Sequence, residues 1–187
     1  MKKTEIIAIV DKSGSMAGYE LDTIGGVNSF IRKQDKINEN LKITVVLFNE
    51  SYEVIKENVS AKKAMLNSEN YQVEGTTALL DAIGNSILET GIRNSKYEEE
   101  RDVYFVIMTD GLENASREFT ASQIKELINK QKEIHDWKFI FLGASLESVK
   151  EAKGFGIANE DAILYSKCEE SYSDVFEKAS ENMSRKL

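Results

Sequence analysis

Short apolar runs recur along the chain at Ile6 to Val10, Ile43 to Phe48, Val103 to Met108, Phe139 to Leu142 and Ala162 to Tyr165. They are nearly continuous and rich in branched or aromatic side chains. That pattern predicts strands buried on both faces, as in a parallel sheet covered by helices. A further strand is predicted from Tyr52 to Ile55, after only Asn49-Glu50-Ser51. So short a connection makes a hairpin, so this strand should run antiparallel at an edge.

The intervening segments carry apolar stripes at helical spacing. Leu21, Ile24, Val27, Phe30 and Ile31 form one, and Leu80, Ile83, Ile87 and Leu88 another. Ile124, Leu127, Ile128 and Ile134 make a third; Tyr172, Val175, Phe176, Ala179 and Met183 make a fourth. A shorter helix is predicted from Leu146 to Ala152. These stripes are read as core. Strands alternating with helices predict a doubly wound, Rossmann-like three-layer α/β sandwich, with a central, mostly parallel sheet of about six strands, one antiparallel edge strand and helices on both faces. There is no proline, linker or internal repeat, so residues 1–187 read as a single domain.

The candidate chemistry sits where apolar runs stop. IAIVDKSGSM ends in Asp11, Ser13 and Ser15, and VYFVIMTDGLEN ends in Asp110. Between them EGTTALLDAI offers Thr76 and Thr77 after a glycine. Oxygen donors of this kind suit a hard divalent cation such as Mg²⁺. In doubly wound sheets, ligands bind beyond the carboxyl ends of strands where the winding reverses. Asp11 and Asp110 converge if their strands are neighbours there. The blander alternatives are a capping turn at Asp11 to Ser15, a helix N-cap at Thr77 and an Asp-Gly turn at Asp110. Asp81 is read as a carboxylate favoured by its helix dipole; Glu113 and Asn114, close after Asp110, are read as exposed loop polarity, with the rim of the site as the alternative. Gly75 should supply unusual backbone geometry, and Gly25-Gly26 close packing of the first helix. His135, the only histidine, is read as a surface or boundary residue.

Composition narrows the classes. With 187 residues, 41% of them apolar and 30% charged, the chain can build a full core. A net charge of −8 argues against general binding to nucleic acid or an anionic membrane, both of which would repel it. Glu98-Glu99-Glu100 is read as a solvated loop. The single cysteine, Cys168, leaves no intramolecular disulfide and no thiolate zinc cluster, which fits a reducing compartment. MKKTEIIAIVD lacks the long apolar stretch and cleavage site of a signal peptide, and no run is long enough to span a bilayer. The expectation is a soluble, cytoplasmic protein.

DKSGS, the GTT turn and MTDG, in that order, resemble the von Willebrand factor A family and its metal-ion-dependent adhesion site, DxSxS…T…D. The chain looks like the stand-alone bacterial and phage type. Asp11, Ser13 and Ser15 match the first element, Asp110 the last, and Thr77 matches the lone threonine better than Thr76. The resemblance implies direct metal bonds from Ser13, Ser15 and Thr77, with Asp11 and Asp110 often acting through water. It implies Mg²⁺, with Mn²⁺ or Ca²⁺ accepted by the same donors, and an open position for a Glu or Asp of a partner protein. Function would then be recognition and not turnover. The rival is a metal-assisted phosphohydrolase with Asp11 as nucleophile, but Ser13 stands where haloacid-dehalogenase-like phosphatases carry a second aspartate. A serine hydrolase is weaker still, since GASLE at Gly143 to Glu147 fails the GxSxG pattern, and no nucleotide-binding glycine motif is present. A metal-linked regulatory switch, with Tyr172 to Leu187 as the moving helix, is a third possibility.

Overall fold

The computed structural model describes residues 3–165 and 171–184. Cys168, the end of the last predicted helix at residues 185–187, and the side chains of Tyr172 and Phe176 lie outside the described residues. The chain forms β1 (Lys3–Asp11), α1 (Glu20–Ile37), β2 (Lys42–Phe48), β3 (Tyr52–Val59), α2 (Leu79–Asn94), β4 (Arg101–Thr109), α3 (Ala121–His135), β5 (Lys138–Gly143), α4 (Leu146–Gly154), β6 (Ala162–Leu164) and α5 (Ser171–Ser184). The sheet order is β3-β2-β1-β4-β5-β6. All neighbours run parallel except β2 and β3, the antiparallel hairpin at one edge. No helix among the described residues is long and apolar enough to cross a membrane.

Successive side chains of a strand point to opposite faces, so β1 serves two cores at once. Ile6, Ala8 and Val10 pack with Val27, Phe30 and Ile31 of α1 and with Val175, Ala179 and Met183 of α5. Ile7 and Ile9 pack with Leu79, Ile83 and Ile87 of α2, Ile124 and Ile128 of α3, and Ala152 of α4. This is the three-layer sandwich that the alternating pattern predicts. β3 extends to Val59, past the apolar stretch ending at Ile55, because an edge strand tolerates polar residues: Glu57 is exposed and Lys56 and Asn58 are half-buried.

Some predicted core positions lie on the surface. Leu21 is 76% exposed, Leu88 44% and Ile134 59%. At about 100° per residue, Leu21 is turned some 240° from Val27, and Ile134 the same from Ile128. Leu88 is turned about 100° from the buried Ile87, past the edge of the face that α2 lays on the sheet. Gly25 also departs from expectation. It is exposed, and a Cβ there would meet nothing within 4 Å, so it permits no close packing. His135 is exposed, as expected, with its ring 5.8 Å from that of Trp137.

Candidate metal centre

The winding reverses between β1 and β4, which are paired in parallel with Val10 opposite Met108. Asp11 therefore lies level with Thr109, and Asp110 one residue beyond, at the carboxyl end of adjacent strands. Asp11 is fully buried. Its Oδ1 accepts from the Ser13 backbone N–H (2.7 Å) and its Oδ2 from the Thr109 hydroxyl (2.6 Å). The buried Tyr71 hydroxyl donates to the Asp11 carbonyl at 2.6 Å. Burial pushes the Asp11 carboxyl up to about 6; the bonds from Ser13 and Thr109 oppose that rise and the nearby Asp110 charge adds to it.

The loop after Asp11 is held between two others. The Lys12 N–H donates to the Phe48 carbonyl (2.7 Å), the Glu74 N–H to the Lys12 carbonyl (2.9 Å), and the Gly14 N–H to the Gly75 carbonyl (2.9 Å). Residues 14–16 form one 3-10 turn, and α1 begins only at Glu20. Neither Ser13, at the start of that turn, nor Tyr19, at the start of α1, makes a side-chain cap, so the segment does not cap the first helix; Asp11 closes a turn onto the Ser13 N–H instead. Gly75 has φ +80°, and a Cβ there would fall 1.8 Å from the Glu50 carboxylate. That carboxylate accepts from the Thr76 N–H (2.9 Å), which holds it below the usual carboxylate range. Asn49 closes the other side: its amide donates to the Glu74 carbonyl (3.1 Å), and its own carbonyl accepts from the Ala78 N–H (2.7 Å).

These loops bring the hydroxyls to the carboxylates. The Ser13 and Ser15 hydroxyls lie 3.1 Å apart, and Ser15 donates to Asp110 Oδ1 at 2.6 Å. A Cβ built on Gly111 would lie 3.3 Å from Thr77 Oγ1 and 3.4 Å from Ser15 Oγ. The hydroxyls of Thr77 and Ser15 thus flank one point, left open because residue 111 has no side chain. Thr77 is buried and Thr76 exposed, which separates the two candidates. The N-cap of α2 is Ala78, without a side-chain bond, so Thr77 is not its cap. Among the described residues no three His, Cys, Asp or Glu side chains gather as a metal cluster. The donors here are two carboxylates and three hydroxyls, a set that fits a hard cation.

Asp81 and the segment after Asp110 bind each other. The Asp81 carboxylate accepts from the N–H groups of Arg117 (2.8 Å), Glu118 (3.0 Å) and Phe119 (2.9 Å). Glu113 Oε2 accepts from the Leu80 N–H (3.0 Å), and Asn114 Oδ1 from the Thr77 N–H (2.9 Å). Glu113 and Asn114 are therefore not idle loop polarity. Glu151 of α4 accepts from the Glu113 N–H at 3.3 Å, and its carboxyl is raised by burial first and by the Glu113 charge after. Thr109, Tyr71, Asn49 and Glu50 carry no motif of their own; a hydroxyl just ahead of Asp110 was the one available hint.

No protein-family model and no curated protein matches the sequence. Solved structures do match in shape. The PilB minor pilin of Streptococcus sanguinis superposes with a TM-score of 0.72 at 13% identity, covering 100% of this chain and 63% of that one. A von Willebrand factor type A protein from Catenulispora acidiphila gives 0.70 at 15% identity, covering 97% and 43%. Manganese-loaded TRAP protein of Plasmodium vivax gives 0.66 at 15% identity, covering 95% and 74%. The chain thus has the von Willebrand factor A fold, and it spans less than two thirds of the first two of these proteins.

Proposed function

We propose that Asp11, Ser13, Ser15, Thr77 and Asp110 hold a divalent cation, Mg²⁺ foremost and Mn²⁺ or Ca²⁺ as alternatives, and that this centre binds a protein partner through an acidic side chain. The observation that carries the proposal is the meeting of Ser15 and Thr77 over Gly111, with Ser15 already bonded to Ser13 and Asp110. The manganese-loaded TRAP structure on the same fold supports it. When bound, the cation would act as a Lewis acid toward a carboxylate of the partner. The chain's own residues do the rest. The hydroxyls of Ser13, Ser15 and Thr77 offer neutral oxygen, which leaves a cation electron-poor. Asp11 and Asp110 supply the negative charge and orient water around it. No residue here is assigned a catalytic step; the site is one of recognition.

The test is thermal unfolding with and without millimolar Mg²⁺ or Mn²⁺. A ligand bound only by the native state stabilises it by about 2.7 kcal/mol at a hundred times its Kd. The wild type should show a raised Tm and Asp11→Ala should lose most of the gain. A wild type indifferent to both metals would reject the proposal. Capture of a partner in Mg²⁺ and its release by EDTA, absent with Asp11→Ala, checks the second half.

A further inference from the structure

We infer that Glu113 is a positioning residue that sets the distance between Thr77 and Asp110; this rests on the metal proposal above. Asp110 follows β4, whereas Thr77 precedes α2, and these two elements are joined at this end by the segment after Asp110. Glu113 is its hub. Oε1 accepts from the N–H groups of Ala115 (3.0 Å) and Ser116 (2.7 Å), which curls residues 113–116 into a closed turn. Oε2 accepts from the Leu80 N–H (3.0 Å) and from the Ser116 hydroxyl (2.7 Å).

That hydroxyl in turn accepts from the Asp81 N–H at 3.1 Å. One carboxylate thus folds the turn and fixes it to the first turn of α2. It does so where Ala78 offers no cap and where a helix end favours negative charge. With the turn seated, the Asn114 and Ala115 N–H groups reach the Thr77 carbonyl (3.0 and 3.2 Å), and Asn114 Oδ1 receives the Thr77 N–H. Thr77 is then gripped from both sides of its peptide by the segment that begins at Asp110. Farther along, the Phe119 ring covers Gly84, so closely that a Cβ there would come within 2.6 Å of it. The far end is thereby held as well.

The consequence is geometric. Mg²⁺ needs oxygen ligands in near-ideal octahedral positions and Mn²⁺ commonly takes the same octahedral oxygen set, whereas Thr77 and Asp110 come from elements that do not pair. Loss of the Glu113 carboxylate frees the turn and lets the two drift, although neither donor is touched. Removing a supporting group of this kind commonly weakens metal binding 10- to 100-fold.

The experiment is Mn²⁺ titration followed by electron paramagnetic resonance, on the full chain as wild type, Glu113→Ala and Glu113→Gln, with Tm recorded in EDTA. Glu113→Ala should weaken Mn²⁺ by about tenfold or more. Glu113→Gln keeps one acceptor oxygen and should fall between the two. A purely structural role would lower Tm in EDTA and leave Kd unmoved; that result overturns the inference. If Glu113→Ala does not fold, Glu113→Gln decides alone: a Kd equal to the wild type's is fatal. A wild type that takes up no Mn²⁺ rejects the metal proposal itself, a different outcome from equal binding by wild type and variants.

Discussion

Asp11 shows how one residue carries opposite demands. It is fully buried beside a second carboxylate, and its carboxyl is raised to about 6. A carboxyl raised on folding binds its proton more tightly in the native state than in the unfolded chain. Ionising it therefore costs stability, progressively between about pH 4 and pH 6, and the cost is constant above that. The rise corresponds to about 3 kcal/mol by pH 7. In EDTA, Asp11→Asn should be more stable than the wild type at pH 7, and the gap should close as pH falls to 4. In Mg²⁺ the order should reverse at pH 7, because a cation is held by the ionised form and competes with the proton. Chemical denaturation of both proteins across this range, with and without metal, measures both effects. A wild type that gains stability relative to Asp11→Asn as the pH rises from 4 to 7 in EDTA would contradict the assignment of the raised carboxyl.

At the scale of elements, the strands and the doubly wound architecture, though not the strand order, were legible because a strand buried on both faces must be apolar throughout, as Ile6 to Val10 is. Asp11, Ser13, Ser15 and Asp110 stood out for the related reason that polar donors follow such runs abruptly, and Thr77 because it follows the Gly75 turn and matches the lone threonine of the resemblance. Glu113 and Asn114 stood out only as polar residues close after Asp110. Their worth lies in bonds to Thr77 and Leu80, more than thirty residues away, and no local pattern encodes that. Helix faces were legible only in part, since Leu21, Leu88 and Ile134 extend apolar stripes beyond the arc that touches the sheet. Gly25 is a related case, a glycine in the body of α1 with open space where a side chain would sit. Gly25→Ala should stabilise the protein by roughly 0.5–1 kcal/mol, because alanine restricts the unfolded chain and fits the helix without strain. Denaturant unfolding that shows no gain, or a loss, would mean that the exposed face of α1 is covered by something else.

The whole molecule has two polar ends joined by an apolar sheet. At one end lies the candidate metal centre. At the other, Glu5 of β1 is fully buried and takes two bonds from Arg93, at the end of α2, at 2.5 and 3.1 Å. Arg101 stands farther off, 3.8 Å from the second oxygen, and Glu57 shares Arg93 from the edge strand at 3.2 Å. Asp11 lies six residue steps along β1 from Glu5, about 20 Å of extended strand. Arg93→Ala leaves a buried carboxylate without its main partner and should cost about 3 kcal/mol. Its effect on Mn²⁺ affinity should be nil, because the bonds that place Ser13, Ser15, Thr77 and Asp110 gather at the opposite end of the sheet from Arg93, at the carboxyl ends of the strands and the first turn of α2, and sites this far apart act additively. Glu113→Ala is the opposite case, with a larger loss of affinity than of stability. Measuring Tm in EDTA and Mn²⁺ Kd on both variants separates the two ends of the sheet. If Arg93→Ala also weakened Mn²⁺, then β1 or α2 would be transmitting strain along its length, and the centre would depend on the whole sandwich instead of on the loops that surround it.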